Sequence, residues 1–309
     1  MGVLRGLLFT VLAVFGLNSY ADVELPSSIQ FLSDFETGAI QHKKEPVDGW
    51  REQHANNGKF ESNNKTYAVN IIKAGEMGLS NPRHGIYAAR FEVRPGDNPL
   101  AGDFNPRAQL RQGVNLITQG ITHYIGFSVW IPSGFDARNQ HIAQFFSESD
   151  KQQTGTYGPF WKIVLSDNKW RIKALWQEDD RANPLSKGKS TVKTGGHGAT
   201  THRLDRDKWT DFVVEIRFDN ANGKRGNGLS RVWKDGELIA DWSGGPLGPP
   251  NGKGPMSFLL DVYGQPPSGG HHVYFDAVRI SNEKIGRLQD VDPAGATSAR
   301  PRPPKLVAK

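Results

Sequence analysis

The segment from Asn105 to Gln112 carries the residues whose types and spacing are best suited to chemistry. It reads N-P-R-A-Q-L-R-Q, and in an extended strand successive side chains point to opposite faces. Arg107, Gln109 and Arg111 then share one face, each about 6–7 Å from the next. Two guanidiniums with an amide between them form a row of donors that suits carboxylate or sulfate groups. An isolated R-x-Q-x-R segment more often forms the solvated face of an amphipathic strand, so its neighbours decide the interpretation.

Two other segments place polar side chains in the same alternating way, on faces where a buried sheet would be apolar. Together with the arginine segment they predict the floor of a polar, sugar-binding cleft. The polar residues are Asp261, Tyr263 and Gln265 in Leu259–Gln265, and Gln144, opposite Ala143 and Phe145, in Ile142–Phe146.

Residues 1–21 have the pattern of a secretory signal. Arg5 supplies a positive charge, Leu7–Leu17 is an apolar stretch too short to span a bilayer, and Ser19–Ala21 offers small residues for cleavage. We therefore predict a mature chain that begins at Asp22, is secreted or periplasmic, and does not insert into a membrane. Cysteine is absent, so the exported protein must rely on a large core or a bound ion instead of disulfides.

The charge balance is weakly basic. The net charge of +6 for the whole chain falls to about +3 when the signal segment and the C-terminal tail are left out. This balance fits an anionic partner. Nucleic acid is disfavoured, because the domain has no concentrated Lys/Arg run and no nucleic-acid-binding motif.

The hydrophobic pattern has the period of strands and almost none of helices. Short β-branched and aromatic runs between Gly, Pro, Asn and Asp clusters predict an all-β, two-sheet antiparallel sandwich over residues 22–288. Asp235 and Gly236 predict a hairpin turn, Glu178–Arg206 a long loop, and residues 289–309 a disordered tail rich in Pro and Arg. The predicted strands are Tyr67–Lys73, Gly85–Arg94, Arg107–Gln112, His123–Ile131, His141–Ser147, Phe160–Ser166, Trp170–Gln177, Trp209–Phe218, Leu229–Lys234, Glu237–Trp242, Ser257–Val262 and Val273–Ile280.

The order and spacing of these segments resemble the jelly-roll polysaccharide lyases that include glucuronan lyase and heparin lyase I. The resemblance extends from about Asp34 to Ile280 and implies a concanavalin-like jelly roll with the substrate across its concave sheet. The segments that carry it are D-F-E-T-G (34–38), H-G-I-Y-A-A-R-F-E-V (84–93), P-R-A-Q-L-R (106–111), H-Y-I-G-F-S-V-W-I-P (123–132), H-I-A-Q-F-F (141–146), G-P-F-W-K-I-V-L (158–165), W-T-D-F-V-V (209–214), V-W-K-D-G-E-L (232–238), L-L-D-V-Y (259–263) and V-Y-F-D-A-V-R-I (273–280).

The reaction that the resemblance implies is β-elimination at a uronic acid. Such a reaction needs donors that neutralise the carboxylate, a base for the C5 proton and an acid for the leaving oxygen. Arg107 and Gln109 match the family's R-x-E/Q strand, and Tyr263 matches a late-strand tyrosine that serves as the acid and in some members as the base. The predicted substrate-binding residues are Arg111, Lys162, Lys173, Asp261 and Gln265.

One position departs from the family pattern. Where similar proteins have a histidine two residues after the glutamine and on its face, this chain has Phe146. His141 lies three residues before Gln144, so a regular strand would point it away from the cleft and favour a structural role, whereas a β-bulge would re-aim it. The predicted catalytic set is therefore Tyr263, Arg107, Gln109, Gln144 and His141.

Glu36 and Asp276 form a separate candidate site, a pair of carboxylates. The patterns F-E-x-G and Y-F-D-x-V around them resemble the calcium site of many jelly-roll domains, where the first and last strands meet away from the cleft. Carboxylate oxygens suit Ca²⁺, and a salt-bridging or turn-capping role is the alternative. The resemblance thus implies a structural calcium ion.

The sequence leaves three candidate functions. The first is a monomeric lyase that acts on an acidic, glucuronan-like polysaccharide, and the second is a non-catalytic carbohydrate-binding relative that lost activity with the missing histidine. The third, a glycoside hydrolase, needs paired carboxylates and ranks last because no E-x-D-x-x-E-type strand is present. Ultraviolet absorbance from unsaturated products separates the first two.

Overall fold

The computed structural model describes residues 29–40, 50–55, 67–94, 107–112, 116–147, 159–176, 192–194, 202–221, 225–249, 256–264 and 271–285. Within these ranges the chain forms sixteen β-strands and no helix. The strands are β1 Ile29–Ser33, β2 Trp50–Ala55, β3 Val69–Lys73, β4 Tyr87–Val93, β5 Arg107–Gln112, β6 His123–Trp130, β7 Gln140–Ser147, β8 Pro159–Ser166, β9 Lys169–Leu175, β10 Val192–Thr194, β11 His202–Arg203, β12 Trp209–Arg217, β13 Gly228–Lys234, β14 Glu237–Gly245, β15 Met256–Tyr263 and β16 His271–Ser281.

The strands pair into two antiparallel sheets of eight strands each, which confirms the predicted sandwich. The first sheet has the order β14-β13-β12-β6-β16-β4-β3, with β1 paired to β16. The second has the order β10-β9-β8-β7-β15-β5-β2, with β11 paired to β9. Successive strands such as β4 and β5, or β15 and β16, belong to different sheets, so the chain crosses repeatedly between the layers, as in a jelly roll.

Aromatic side chains fill the space between the sheets. Phe127 and Phe275 from the first sheet meet Phe258 and Phe145 from the second, and all four are fully buried. The ring centroids of Phe127 and Phe258 are 5.8 Å apart, and those of Phe145 and Phe258 are 5.2 Å apart. Because side chains alternate along each strand, filling the core with one set turns the other set outward.

Every predicted strand has a counterpart in the structure. The Asp235–Gly236 turn joins β13 to β14, with φ of 50° and 84°, the left-handed values that a tight hairpin turn requires. The predicted loop Glu178–Arg206 is wrong in part, because β10 and β11 lie inside it and pair with β9. The predicted signal segment and tail lie outside the described residues. No helix long and apolar enough to span a bilayer occurs in the described ranges.

Candidate active site

The outward face of the second sheet carries the predicted catalytic residues. The side chains between them, such as Ala108 and Leu110 on β5 or Ala143 on β7, belong to the core. We call this surface the polar face. Its residues are Arg107, Gln109 and Arg111 on β5, Asp261 and Tyr263 on β15, His141 and Gln144 on β7, Lys162 on β8 and Lys173 on β9.

Strand register arranges these residues in two rows across the sheet. In the long row, each residue is the cross-strand partner of the next, in the order Arg111, Leu259, Gln144, Lys162, Lys173. In the short row, Tyr263 pairs with Arg107 on one side and with His141 on the other. Gln109 pairs with Asp261 between the rows.

A β-bulge turns His141 onto the polar face. The register of β7 slips between His141 and Ala143 against β8, and that of β15 slips between Leu260 and Tyr263 against β7. The imidazole ring therefore packs edge-on against Tyr263, with centroids 5.0 Å apart and an interplanar angle of 72°. The interpretation that His141 faces away from the cleft is wrong, because it assumed unbroken alternation.

His141 is held neutral and hydrogen-bonded. Burial, together with the positive charges of Lys162, Lys173 and Arg107, lowers the pKa of His141 to about 3. Its Nε2 lies 3.1 Å from Nζ of Lys162. Since an ammonium group can only donate, Nε2 accepts this bond and the ring proton resides on Nδ1. Nδ1 has no hydrogen-bond partner among the described residues.

Asp261 lies beneath two amides at the centre of the polar face. Its Oδ2 accepts hydrogen bonds from Nε2 of Gln109, at 3.1 Å, and from Nε2 of Gln144. Burial raises the pKa of the Asp261 carboxyl to about 7, against the opposing effects of these bonds and of the nearby cations. The prediction that Asp261 contacts substrate needs correction, because the residue is fully buried. Its carboxylate fixes the positions of the two amides instead.

The arginines lie over aromatic rings. The guanidinium carbon of Arg107 is 4.6 Å from the ring centroid of Tyr263, and that of Arg111 is 5.9 Å from the ring centroid of Phe146. Phe146 thus shares the face of Gln144, as the alternation predicts. Such cation–π contacts stabilise each guanidinium by about 0.5–1 kcal/mol at exposed sites and restrict where it can point. Gln265 lies outside the described residues.

This arrangement can bind an anion beside a transferable proton. Arg107 and the buried amides of Gln109 and Gln144 lie on this face, and Tyr263 lies in the same row as Arg107. Lys162 adds a cation, although burial and the charge of Lys173 lower the pKa of its ammonium group to about 8. The polar face therefore combines carboxylate recognition with an acid–base group.

Sequence reasoning missed β2 and the contact between His141 and Lys162. The backbone of β2 pairs with β5 so that His54 is the register partner of Gln109. The segment W-R-E-Q-H-A has too little apolar alternation to indicate a strand. The contact between His141 and Lys162 depends on the bulge in β7, for which the sequence offers no signal.

Glu36 and Asp276 are bound to backbone amides. The N–H groups of Ile86 and Tyr87 donate to Oε1 of Glu36 at 2.9 and 3.1 Å, and the N–H of His84 donates to Oδ2 of the fully buried Asp276 at 2.8 Å. Burial is the main cause that raises the pKa of Asp276, to which the charge of Asp34 also contributes. Carboxylates suit calcium, but no group of three or more His, Asp or Glu in the described ranges is placed to hold a metal ion. The calcium site stays a prediction.

We expect a chelator to lower the melting temperature of the protein, because an ion that binds only the folded chain stabilises it by mass action. Differential scanning calorimetry with and without chelator, and after calcium is added back, measures the effect. Activity in the still-folded protein should persist, since these carboxylates lie outside the polar face. An unchanged melting temperature, with elemental analysis showing a metal-free sample, would leave the two carboxylates as backbone caps alone.

The fold is a jelly-roll sandwich whose outward sheet face carries arginines, amides and a tyrosine. The chain belongs to the polysaccharide lyase family, whose model matches residues 47–279. No curated relative matches the chain. Family and fold together make this protein a polysaccharide-cleaving lyase.

Solved structures of low sequence identity match this chain. One is the endo-β-1,4-glucuronan lyase from the fungus Trichoderma reesei, with a TM-score of 0.54 and 12% identity over 75% of this chain and 95% of that one. A second match is a marine alginate lyase from Aplysia kurodai, with a TM-score of 0.45 and 11% identity over 69% of this chain and 86% of that one. At 12% identity the likeness to the glucuronan lyase shows the architecture alone.

Proposed function

We propose that this lyase is exported and cleaves a uronate-containing, glucuronan-like polysaccharide by β-elimination. The observation that carries the proposal is the short row, in which Arg107, Tyr263 and His141 lie side by side on adjacent strands. The proposed substrate class is that of the glucuronan lyase with a similar fold.

The proposed reaction removes the C5 proton of the uronate, forms a C4–C5 double bond and breaks the bond from C4 to the glycosidic oxygen. Negative charge develops on the uronate carboxylate as the proton leaves, so donors placed there lower the barrier. Arg107, Gln109 and Gln144 supply these donors. The two amides are held by Asp261, so little reorganisation is needed when the substrate binds.

Tyr263 is the proposed acid–base group. Its phenol can protonate the leaving oxygen, and its phenolate can take the C5 proton. Arg107 beside the ring stabilises the negative charge that forms on the tyrosine oxygen during transfer. His141 is a poor base here, since it is buried among cations and its Nε2 accepts from Lys162. Its proposed role is to hold the Tyr263 ring edge-on.

Incubation with a panel of uronate polymers should release unsaturated oligosaccharides, detected by ultraviolet absorbance, because each elimination leaves a double bond conjugated to the carboxylate. Reduced, uronate-free versions of the same polymers serve as matched substrate controls and should give no signal. Absence of product from every uronate polymer by a folded sample would contradict the proposed substrate.

Phe146 favours one other function, a carbohydrate-binding protein without activity, because it stands where similar proteins have a histidine. Under this alternative the protein binds the polymers in the same panel without forming product. Isothermal titration calorimetry alongside the absorbance assay separates the two functions.

A further inference from the structure

Two lysines lie side by side at one end of the long row. Lys162 on β8 and Lys173 on β9 are register partners, and both are half-buried. Within the described ranges, neither ammonium group forms an ion pair with a carboxylate, and the one hydrogen bond of the Lys162 side chain goes to the neutral His141. Their positive charges are therefore uncompensated by direct contact in this part of the chain.

This arrangement is unfavourable for the protein by itself. Like charges directly opposite each other on neighbouring strands are destabilising, and partial burial adds a desolvation cost. The lowered pKa of Lys162 reflects both effects, burial first and the charge of Lys173 second. The nearest opposing charge, on Asp261, is buried and already accepts from two amides. Ionisable groups perturbed by burial and by a neighbouring charge are candidates for a functional site.

Lys173 lies too far from Arg111 for both to bind the same sugar. Lys162 lies three strands from Arg111 along the long row, about 14 Å between backbones, and Lys173 lies four strands away, about 19 Å. These separations exceed the width of one pyranose ring. An acidic group bound at β5 therefore leaves the Lys173 ammonium group free for another one, whereas the Lys162 ammonium group lies between Lys173 and His141 of the short row.

We propose that Lys162 and Lys173 form a second anion subsite, which binds a carboxylate or sulfate on a different sugar of the polymer held at Arg107 and Arg111. The subsite rests on the proposed function and narrows its substrate class. A polymer with acidic groups on consecutive sugars contacts both ends of the long row at once. A polymer with isolated uronates among neutral sugars contacts one end only.

Lys173→Gln tests the subsite, because it removes one charge, nearly preserves side-chain length and breaks no hydrogen bond within the described ranges. Lys73→Gln is the matched control, since Lys73 is an exposed lysine at the end of β3 in the other sheet. Equilibrium binding is measured by calorimetry in the Tyr263→Phe background. The probes are a hexa-uronate, a di-uronate and a sulfated, uronate-free glucan.

Lys173→Gln should weaken hexa-uronate binding about tenfold, the loss expected for one charge-assisted contact, and should leave di-uronate binding unchanged. Lys73→Gln should change neither. In a second outcome, Lys173→Gln weakens binding of the sulfated glucan and leaves hexa-uronate binding unaffected. That outcome assigns the subsite to sulfate instead of carboxylate. Without ligand, Lys173→Gln should unfold at the same or a higher temperature, because it removes a repulsion.

Unchanged binding of hexa-uronate and sulfated glucan by Lys173→Gln would overturn the subsite while leaving the proposed function standing. An equal loss for the di-uronate and the hexa-uronate would do the same, since it would place Lys173 at the first sugar. If no variant and no parent protein binds any uronate, the proposed substrate class fails, and a subsite for its carboxylate fails with it.

Discussion

Tyr263→Phe is expected to lower turnover by a factor of about 10² to 10⁴ while the protein stays folded. The substitution keeps the ring that packs against His141 and lies under Arg107. It removes only the hydroxyl, and with it the group proposed to move a proton between C5 and the leaving oxygen. The expected result is therefore a fall in kcat with little change in KM, since the donors that bind the carboxylate remain.

Tyr124→Phe is the matched control for this measurement. The Tyr124 hydroxyl donates to Glu215 at 3.0 Å on the first sheet, away from the polar face. Its loss removes a hydrogen bond to a charged group, which is worth about 1.5–3 kcal/mol of stability, and should leave turnover unchanged. Initial rates from ultraviolet absorbance, with melting curves for both variants, complete the comparison. Near wild-type turnover in a folded Tyr263→Phe protein would remove Tyr263 from the reaction and require another acid–base group.

Strand alternation was enough to predict most of the polar face. Arg107, Gln109 and Arg111 fall on one face because their neighbours Ala108 and Leu110 must enter the core. The same reasoning holds for Gln144, between two buried apolar residues. Local sequence sets these positions, since the period of two is a property of any strand with one buried face.

His141 shows where alternation stops being informative. One extra residue in β7 reverses the side to which His141 points, and no residue in H-I-A-Q-F-F indicates that the bulge will form. Its position follows from how β7 must pair with β8 and β15 at the same time. Asp261 was assigned to the correct strand face, yet its burial depends on Gln109 and Gln144 closing over it. Both outcomes are set by tertiary packing, which a single strand does not encode.

Arg107→Ala is expected to lower kcat/KM by a factor of about 10² to 10³, the loss typical when one donor to a developing negative charge is removed. Arg107 lies at the end of the short row, next to Tyr263, so it can stabilise the uronate carboxylate and the tyrosine oxygen together. Arg107→Lys should recover only part of the loss, because an ammonium group keeps the charge but not the two-pronged geometry of a guanidinium.

Methyl-esterified polymer provides the sharper version of this experiment, because its carboxyl group carries no charge to neutralise. If Arg107 acts on the carboxylate, Arg107→Ala should lose much less activity on the esterified polymer than on the free acid. Arg231→Ala serves as the control, since Arg231 lies on β13 of the first sheet and pairs there with Glu215 and Asp241. Activity of this variant on both polymers should be unchanged. An equal loss on free and esterified polymer would mean that Arg107 acts through Tyr263 alone, and carboxylate recognition would then fall to Gln109, Gln144 and Arg111.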